Sequence, residues 1–466
     1  MSVRRSIRAR LLCAAVAVAL SVVAPASAQQ SRLNLSGMDA GGRYDRFIVK
    51  YRDGSAAHDD PAELQRSLRA ASSTQGGQKP MAVQRVHRIS SGADVVSVER
   101  KLDRVDAESL MRQIANDPDV EYVEVDHLNV PQLRPNDPRY GKQWGYKGVN
   151  GINAGKAWDH SNGSGTVVAV LDTGITRHSD LDGNVLAGYD FISDSTVASD
   201  GGGRDSDPSD PGDWERAGQC GSGKPAVDSS WHGTHVAGTV AAVTNNRKGV
   251  AGTAHGARIL PVRVLGTCGG YDSDIADAIV WASGGTVSGV PANPNPAEVI
   301  NLSLGHLSAC STTSQRAINA AVGRGTTVVV AAGNDGIDVA GFSPAGCQNV
   351  IAVAATNRLG KRASFSNHGA KIDVAAPGVD ILSTLNSGRT KPEKEDYGRK
   401  DGTSMAAPHV AGVVALIQSA AGSPKTPAQV EDMIKATASR ANDKRSKPLG
   451  AGIVNAKAAV DAAARK

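Results

Sequence analysis

Three short segments of this 466-residue chain carry side chains that together could perform acyl transfer. AVLDTG ends an apolar run on Asp172, WHGTHVAGT opens a helical pattern on His232, and DGTSMAAPHVAG opens another on Ser404. A serine hydroxyl is too weak a nucleophile to attack an amide unaided. An imidazole can take its proton, and a carboxylate can hold that imidazole in the right tautomer and stabilise its charged form. A fourth segment, TVVVAAGND, puts Asn334 just past an apolar run, where its carboxamide can donate to a developing oxyanion. At the head of a helix Ser404 also meets the unpaired N–H groups and positive dipole end, and Gly402 lets a substrate carbonyl approach.

These side chains need a scaffold that brings distant segments to one place. From about Trp144 onward the chain shows apolar runs without alternation, TVVAVLD, ARILPVRVL, EVINLSL, TVVVAAG and VIAVAA, which read as parallel strands buried on both faces. Between them GTHVAGTVAAV, DSDIADAIVWAS, TSQRAINAAVGRG and SMAAPHVAGVVALIQSA read as helices. This is an α/β sheet domain, and in such sheets the carboxyl ends of the strands converge on a crevice.

Residues 44 to 129 follow a different grammar: strand, helix, two strands, helix, strand, the pattern of a small split βαβ sandwich. Asp106 reads as the cap of the second helix, and Pro118 as its stop. The proline-containing segment NVPQLRPNDPRY then reads as an exposed linker. Ahead of this unit, MSVRRSIRAR, an apolar stretch and PASA form the pattern of an export signal cut after Ala28; the apolar stretch is shorter than the roughly 20 residues of a membrane span. No stable membrane anchor is expected. Removing that segment takes four arginines from a formal charge of +5, leaving +1, so the charge gives no support for a nucleic-acid partner. Export leaves Cys220, Cys268, Cys310 and Cys347, an even number suited to two disulfides in an oxidising compartment, with three possible pairings.

DTG, HGTHVAG, AAGN and GTSMAAPHVAG in the order Asp, His, Asn, Ser resemble the subtilases, over roughly residues 135 to 460. The resemblance implies a subtilisin-like, mostly parallel sheet flanked by helices, preceded by a small α+β ferredoxin-like propeptide. It implies a secreted, monomeric serine endopeptidase that acts on protein or peptide substrates and cuts itself between about residues 129 and 137. The domains would be 1–28 signal peptide, 29–133 propeptide acting as inhibitor and folding chaperone, and 134–466 catalytic domain. Asp172, His232 and Ser404 would form the triad, with Asn334 in the oxyanion hole. Ser303, Leu304 and Gly305 on one side and Gly269 and Gly270 on the other would grip an extended peptide. An α/β-hydrolase esterase is disfavoured, because its nucleophile sits in GxSxG and comes first in the chain.

The resemblance also places Asp137, Asp180 and Asn246 where subtilases hold a structural calcium. Separately, DGGGRDSDPSDPGDWE carries Asp200, Asp205, Asp207, Asp210 and Asp213; it reads either as a solvated acidic loop or as a calcium site, with Asp205, Asp207 and Asp210 as ligands. His232 and His235 are three apart, but no third ligand of suitable spacing supports zinc, so His235 and His409 read as structural. No catalytic cofactor is expected. Cys220 and Cys268 lie in loops flanking the implied cleft and Cys310 and Cys347 follow consecutive strands, so the expected pairs are Cys220 with Cys268 and Cys310 with Cys347.

Overall fold

The computed structural model describes residues 32–36, 38, 42–73, 81–128, 134–442 and 448–464. The expected signal segment, 1–28, lies outside the described residues, as does the 129–133 part of the expected processing region. The chain divides into two compact units, Met1–Val130 and Pro131–Lys466.

In the first unit β1 (Leu33–Asn34), β2 (Tyr44–Tyr51), β3 (Val83–Arg88), β4 (Asp94–Leu102) and β5 (Val120–Val125) form one sheet in the order β1-β5-β2-β4-β3. Only the β1–β5 pairing is parallel. Helices α1 (Pro61–Ser73) and α2 (Arg104–Ala115) supply Leu64, Leu68, Leu110, Met111 and Ile114 to its core, against Phe47, Val49, Val96 and Val123 from the strands. The cap of α2 is Asp103, whose side chain accepts from the Asp106 N–H; Asp106 itself sits in the first turn, where its charge suits the positive end of the helix.

The second unit is built on a seven-stranded, wholly parallel sheet. Its strands are β6 (Val167–Asp172), β7 (Tyr189–Asp190), β8 (Arg258–Arg263), β9 (Val299–Leu302), β10 (Thr327–Ala331), β11 (Ile351–Thr356) and β12 (Val374–Pro377), ordered β12-β11-β10-β9-β6-β8-β7. Because side chains alternate along a strand, Val168 and Val170 of β6 meet one core and Ala169 and Leu171 the other. The first core contains α3 (His232–Ala241) and α6 (Thr403–Ala420); the second contains α4 (Asp272–Ala282) and α5 (Thr312–Gly323). Fourteen residues of α6 are buried, from Thr403 to Ile417, which explains its apolar surface all round. Each fully buried Val or Leu in such a position contributes about 1.5–3 kcal/mol over an exposed one. A hairpin, β13 (Ile381–Asn386) and β14 (Glu395–Lys400), packs against α3 and leads into α6.

The register sets the site. Leu171 pairs with Leu302, and Leu302 with Val330, so the chain leaves β6, β9 and β10 at the same level. Asp172, Ser303 and Asn334 therefore emerge along one edge of the sheet, at the carboxyl ends of its strands. Among the described residues no helix is long and apolar enough to cross a membrane.

Candidate active site

Asp172 closes β6 and is fully buried, with Oδ1 accepting from His232 Nδ1 at 2.7 Å and from the Thr173 N–H at 2.8 Å. His232 opens α3, and the approach of the two elements is close. A Cβ on Gly233 would lie 2.2 Å from the Gly174 carbonyl oxygen, so only glycine fits there. Burial works against a charged His232 imidazole, but the charge of Asp172 and its hydrogen bond outweigh it and hold the His232 pKa above the ordinary histidine value. A base poised in this way can accept a proton from a hydroxyl and later release it to a leaving amine.

Ser404 is the second residue of α6, and its fixing depends on a proline six residues into that helix. Pro408 has no N–H, so the Ser404 carbonyl loses the partner it would have four residues on. Ser303 Oγ donates to that carbonyl at 2.9 Å, while Ser404 Oγ donates to the Ser303 carbonyl at 3.1 Å. Asn301 Nδ2, buried, donates to Ser303 Oγ at 2.9 Å and holds this reciprocal pair. The Ser404 proton must leave the Ser303 carbonyl before it can pass to His232.

Asn334 follows β10 by three residues. Its Oδ1 accepts from the Thr403 N–H at 2.9 Å and from Thr403 Oγ1 at 3.0 Å, which turns Nδ2 the other way. A Cβ on Gly402 would stand 3.6 Å from the Ser404 N and 3.7 Å from Asn334 Nδ2, so both donors border the space that Gly402 leaves open. Gly402 has φ +154, which side chains with a Cβ rarely adopt. Two N–H donors beside a serine hydroxyl form the arrangement that stabilises a tetrahedral oxyanion.

Next to these groups is a cavity of about 500 Å³. Its lining includes Gly269, Gly270, Leu304 and Gly305, four of the five expected peptide-gripping residues, with Leu265 and Ile279 adding apolar surface. Ser303 is not in that lining; its side chain is spent on Ser404. Disulfides join Cys220 to Cys268 and Cys310 to Cys347, with Cα separations of 5.4 Å and 5.0 Å, and Cys268 borders the cavity. Sulfurs paired in this way are not metal ligands, so the proximity of Glu215 to Cys220 and Cys268 forms no metal site. His235 is buried, its Nε2 3.0 Å from the Ile381 oxygen and 3.2 Å from that of Gly398, and burial lowers its pKa to about 3. His409 Nδ1 contacts the Met405 carbonyl at 2.8 Å, and burial brings its pKa to about 4.

The acidic loop corrects one expectation: Asp205, Asp207 and Asp210 do not converge on one ion. Asp205 Oδ1 accepts from the Asp207 N–H and Asp207 Oδ1 from the Ser209 N–H, each closing a local turn. Asp210 is buried and reaches the residues that follow Asp172 and His232 instead: Thr173 Oγ1 donates to it at 2.7 Å and itself accepts from the Gly233 N–H at 3.0 Å. Asp200 pairs with Arg263, and Asp213 takes both the N–H and hydroxyl of Ser230. Asp137, Asp180 and Asn246 do come together. Asn246 Nδ2 donates to Asp180 at 2.6 Å, and Asp137 accepts from the N–H groups of Asn245 and Asn246. Both carboxylates are buried, and Asp137 has its pKa raised by burial and by the nearby Asp180 charge. Two buried carboxylates are hard oxygen donors of the kind calcium takes, but the Asn246 carboxamide turns its nitrogen to Asp180 and its oxygen to the Lys248 N–H at 2.8 Å, so the expectation for this set is corrected: Asp137 and Asp180 fit the ion and Asn246 braces them.

Comparison with known proteins agrees with the geometry. Residues 163–452 match the subtilase family of peptidases. An extracellular protease of Xanthomonas campestris is 58% identical over 97% of this chain and 78% of its own length. An extracellular basic protease of Dichelobacter nodosus is 48% identical over 90% of this chain and 70% of its own. Among solved structures, a protease from Pseudoalteromonas arctica superposes with a TM-score of 0.69 at 55% identity, covering 71% of this chain and 99% of that one.

Proposed function

We propose, proceeding from the fact that this chain belongs to the subtilase family and is a serine endopeptidase, that Ser404 is its nucleophile and that it is exported as a precursor which processes itself. In this reading Ser404 Oγ attacks the scissile carbonyl while His232 takes its proton. Asp172 holds the imidazole by the 2.7 Å contact, and Asn334 Nδ2 and the Ser404 N–H stabilise the oxyanion. His232 then protonates the leaving amine, and water repeats the sequence on the acyl-enzyme. The observation that carries the reading is the convergence of four separately encoded segments, with the Asp172–His232 hydrogen bond made and the Asn334 amide turned toward Gly402.

Residues 1–28 would be removed on export and residues 29–133 would act as propeptide and inhibitor; the extracellular naming of the Xanthomonas and Dichelobacter relatives supports the location. Gly269, Gly270, Leu304 and Gly305 would bind the acyl side of a peptide. Asp137 and Asp180, braced by Asn246, would hold a calcium that pins the Asn245–Gly249 loop to the chain ahead of the sheet. The test is expression of Ser404→Ala with intact mass and N-terminal sequencing of the secreted product. The variant should accumulate as a 29-to-C-terminus precursor without protease activity; normal processing and activity in the absence of other proteases would refute the assignment.

A further inference from the structure

Asp210 and Asp213 of the acidic loop each end a chain of two hydrogen bonds that starts on the first turn of α3. In one chain the Gly233 N–H donates to Thr173 Oγ1 at 3.0 Å, and Thr173 Oγ1 donates to Asp210 Oδ2 at 2.7 Å. In the other the His232 N–H donates to Ser230 Oγ at 3.2 Å, and Ser230 Oγ donates to Asp213 Oδ2 at 2.6 Å. The Ser230 N–H donates to the second oxygen of Asp213, also at 2.6 Å. Two hydroxyls thus take two successive N–H groups of one helix and pass their own protons to two carboxylates of one loop.

The head of α3 has need of outside partners. The first N–H groups of an α-helix have none within it, and Trp231, the residue ahead of His232, supplies no capping oxygen. Trp231 also stands at φ +51, a backbone conformation that a bulky side chain rarely adopts and that persists only where its surroundings fix it. Its indole N–H donates to the Gly388 carbonyl at 2.7 Å, and the Asp213–Ser230 chain grips the residue on either side of it. A hydroxyl whose proton is taken by a carboxylate is polarised, which makes it a better acceptor for the helix N–H.

Thr173 ties the helix to Asp172. Its N–H donates to Asp172 Oδ1 at 2.8 Å, while its hydroxyl accepts from Gly233, the residue after His232. The loop is fixed to the same turn of chain: the Asp210 N–H donates to the Ile175 carbonyl at 3.0 Å and the Ile175 N–H to the Pro208 carbonyl at 3.1 Å. The charged groups within reach of the two acids are His232, Arg263 at the end of β8 and Lys400 at the end of β14, and Arg263 is already paired with Asp190 and Asp200. We propose that Asp210 and Asp213 are positioning residues for the catalytic base: acting through Thr173 and Ser230, they hold the head of α3 so that the His232 imidazole stays on Asp172 and within reach of Ser404.

Because the proposal rests on the peptidase reading, the processed enzyme is assayed on one peptide with active sites counted by a fluorophosphonate, and the rate of that labelling is a second readout. Thr173→Val keeps the shape of the side chain and removes the hydroxyl. It should lower kcat by about tenfold to a hundredfold with KM nearly unchanged, the scale of a misplaced catalytic group. Thr173→Ser should restore most of kcat. Asp210→Ala should cost about as much as Thr173→Val, and the double variant no more than either, because the two residues act as one chain. Ser230→Ala, at a less buried position, should show the same kind of fall through the second chain. Asp213→Asn should lower kcat and also move the acid limb of kcat/KM to lower pH, because the Asp213 charge raises the His232 pKa. Labelling should slow in step with kcat throughout. Variants that lower Tm yet keep the wild-type kcat, labelling rate and acid limb would overturn the proposal and leave the loop a structural brace. A wild type that neither cuts the peptide nor takes label on Ser404 would overturn the peptidase reading, and this proposal with it.

Discussion

The sheet edge that carries Asp172 and the loop from Asp200 to Asp213 both bear carboxylates, yet they use them differently. At the edge, Asp172 is buried at a strand end with Oδ1 on His232 and the Thr173 N–H, so its partners are set by the packing of β6 against α3. In the loop, Asp205 and Asp207 are exposed and each takes the N–H two residues on. Asp210 belongs to the loop in sequence and to the edge in space. Closely spaced acids in a chain therefore say little about a shared ligand; what they do depends on which donor each meets first.

Asp172→Asn should separate the two regions most sharply. With the carboxylate gone the imidazole loses its tautomer control, and kcat should fall by about 10⁴-fold with little change in stability. The residual activity should titrate below the wild-type acid limb, because the interaction that raises the His232 pKa has been removed. Asn334→Ala should cost about 10²–10³ in kcat, roughly 3–4 kcal/mol of barrier, with KM nearly unchanged, since the amide acts on the oxyanion and not on the bound substrate. Steady-state kinetics on one peptide read both.

Asp210 tests the edge's supporting layer by pH. Burial pushes its pKa up to about 7, with the Asp213 charge adding to it. Its folded pKa lies above the unfolded value, so the native state binds the extra proton. The resulting stability is present below about pH 4 and is lost as pH rises toward 7. Thermal melts of wild type should therefore decline across that window, and melts of Asp210→Asn should decline less; equal slopes would show that Asp210 is not protonated in the fold. The smallest effects belong to the rest of the loop. Asp205→Asn and Asp207→Asn should each change stability by less than about 0.5 kcal/mol and leave the response of Tm to EDTA intact. Asp180→Asn should abolish that response.

The parts of the fold legible in the sequence share one property: local pattern and tertiary role agree. The five uninterrupted apolar runs all became strands of the parallel sheet, because a strand buried on both faces must be apolar throughout. The four patterned segments between them became α3, α4, α5 and α6. β12 was not legible, since Val374–Pro377 is four residues long and owes its extended form to pairing with β11. Nor was β14: EDYGRK carries no alternation, and its partner Ile381–Asn386 decides its conformation. The helix cap assigned to Asp106 falls to Asp103, a choice between two acids three residues apart that only backbone geometry resolves.

At the site, residue type and order pointed to Asp172, His232, Asn334 and Ser404 because each chemical role admits few side chains. The anchoring of Ser404 was hidden. It depends on a missing N–H at Pro408 and a hydroxyl at Ser303 about a hundred residues away, although a proline inside an otherwise helical pattern did mark where a carbonyl would need a new partner.

The central claim is that Ser404 is the activated nucleophile of this edge. Treatment of the processed enzyme with a fluorophosphonate, followed by peptide mapping, should find one modification, on Ser404, with activity lost in proportion to labelling and labelling slowed in Asp172→Asn. An enzyme that loses activity while Ser404 stays unmodified, or keeps it with Ser404 fully labelled, would contradict the account.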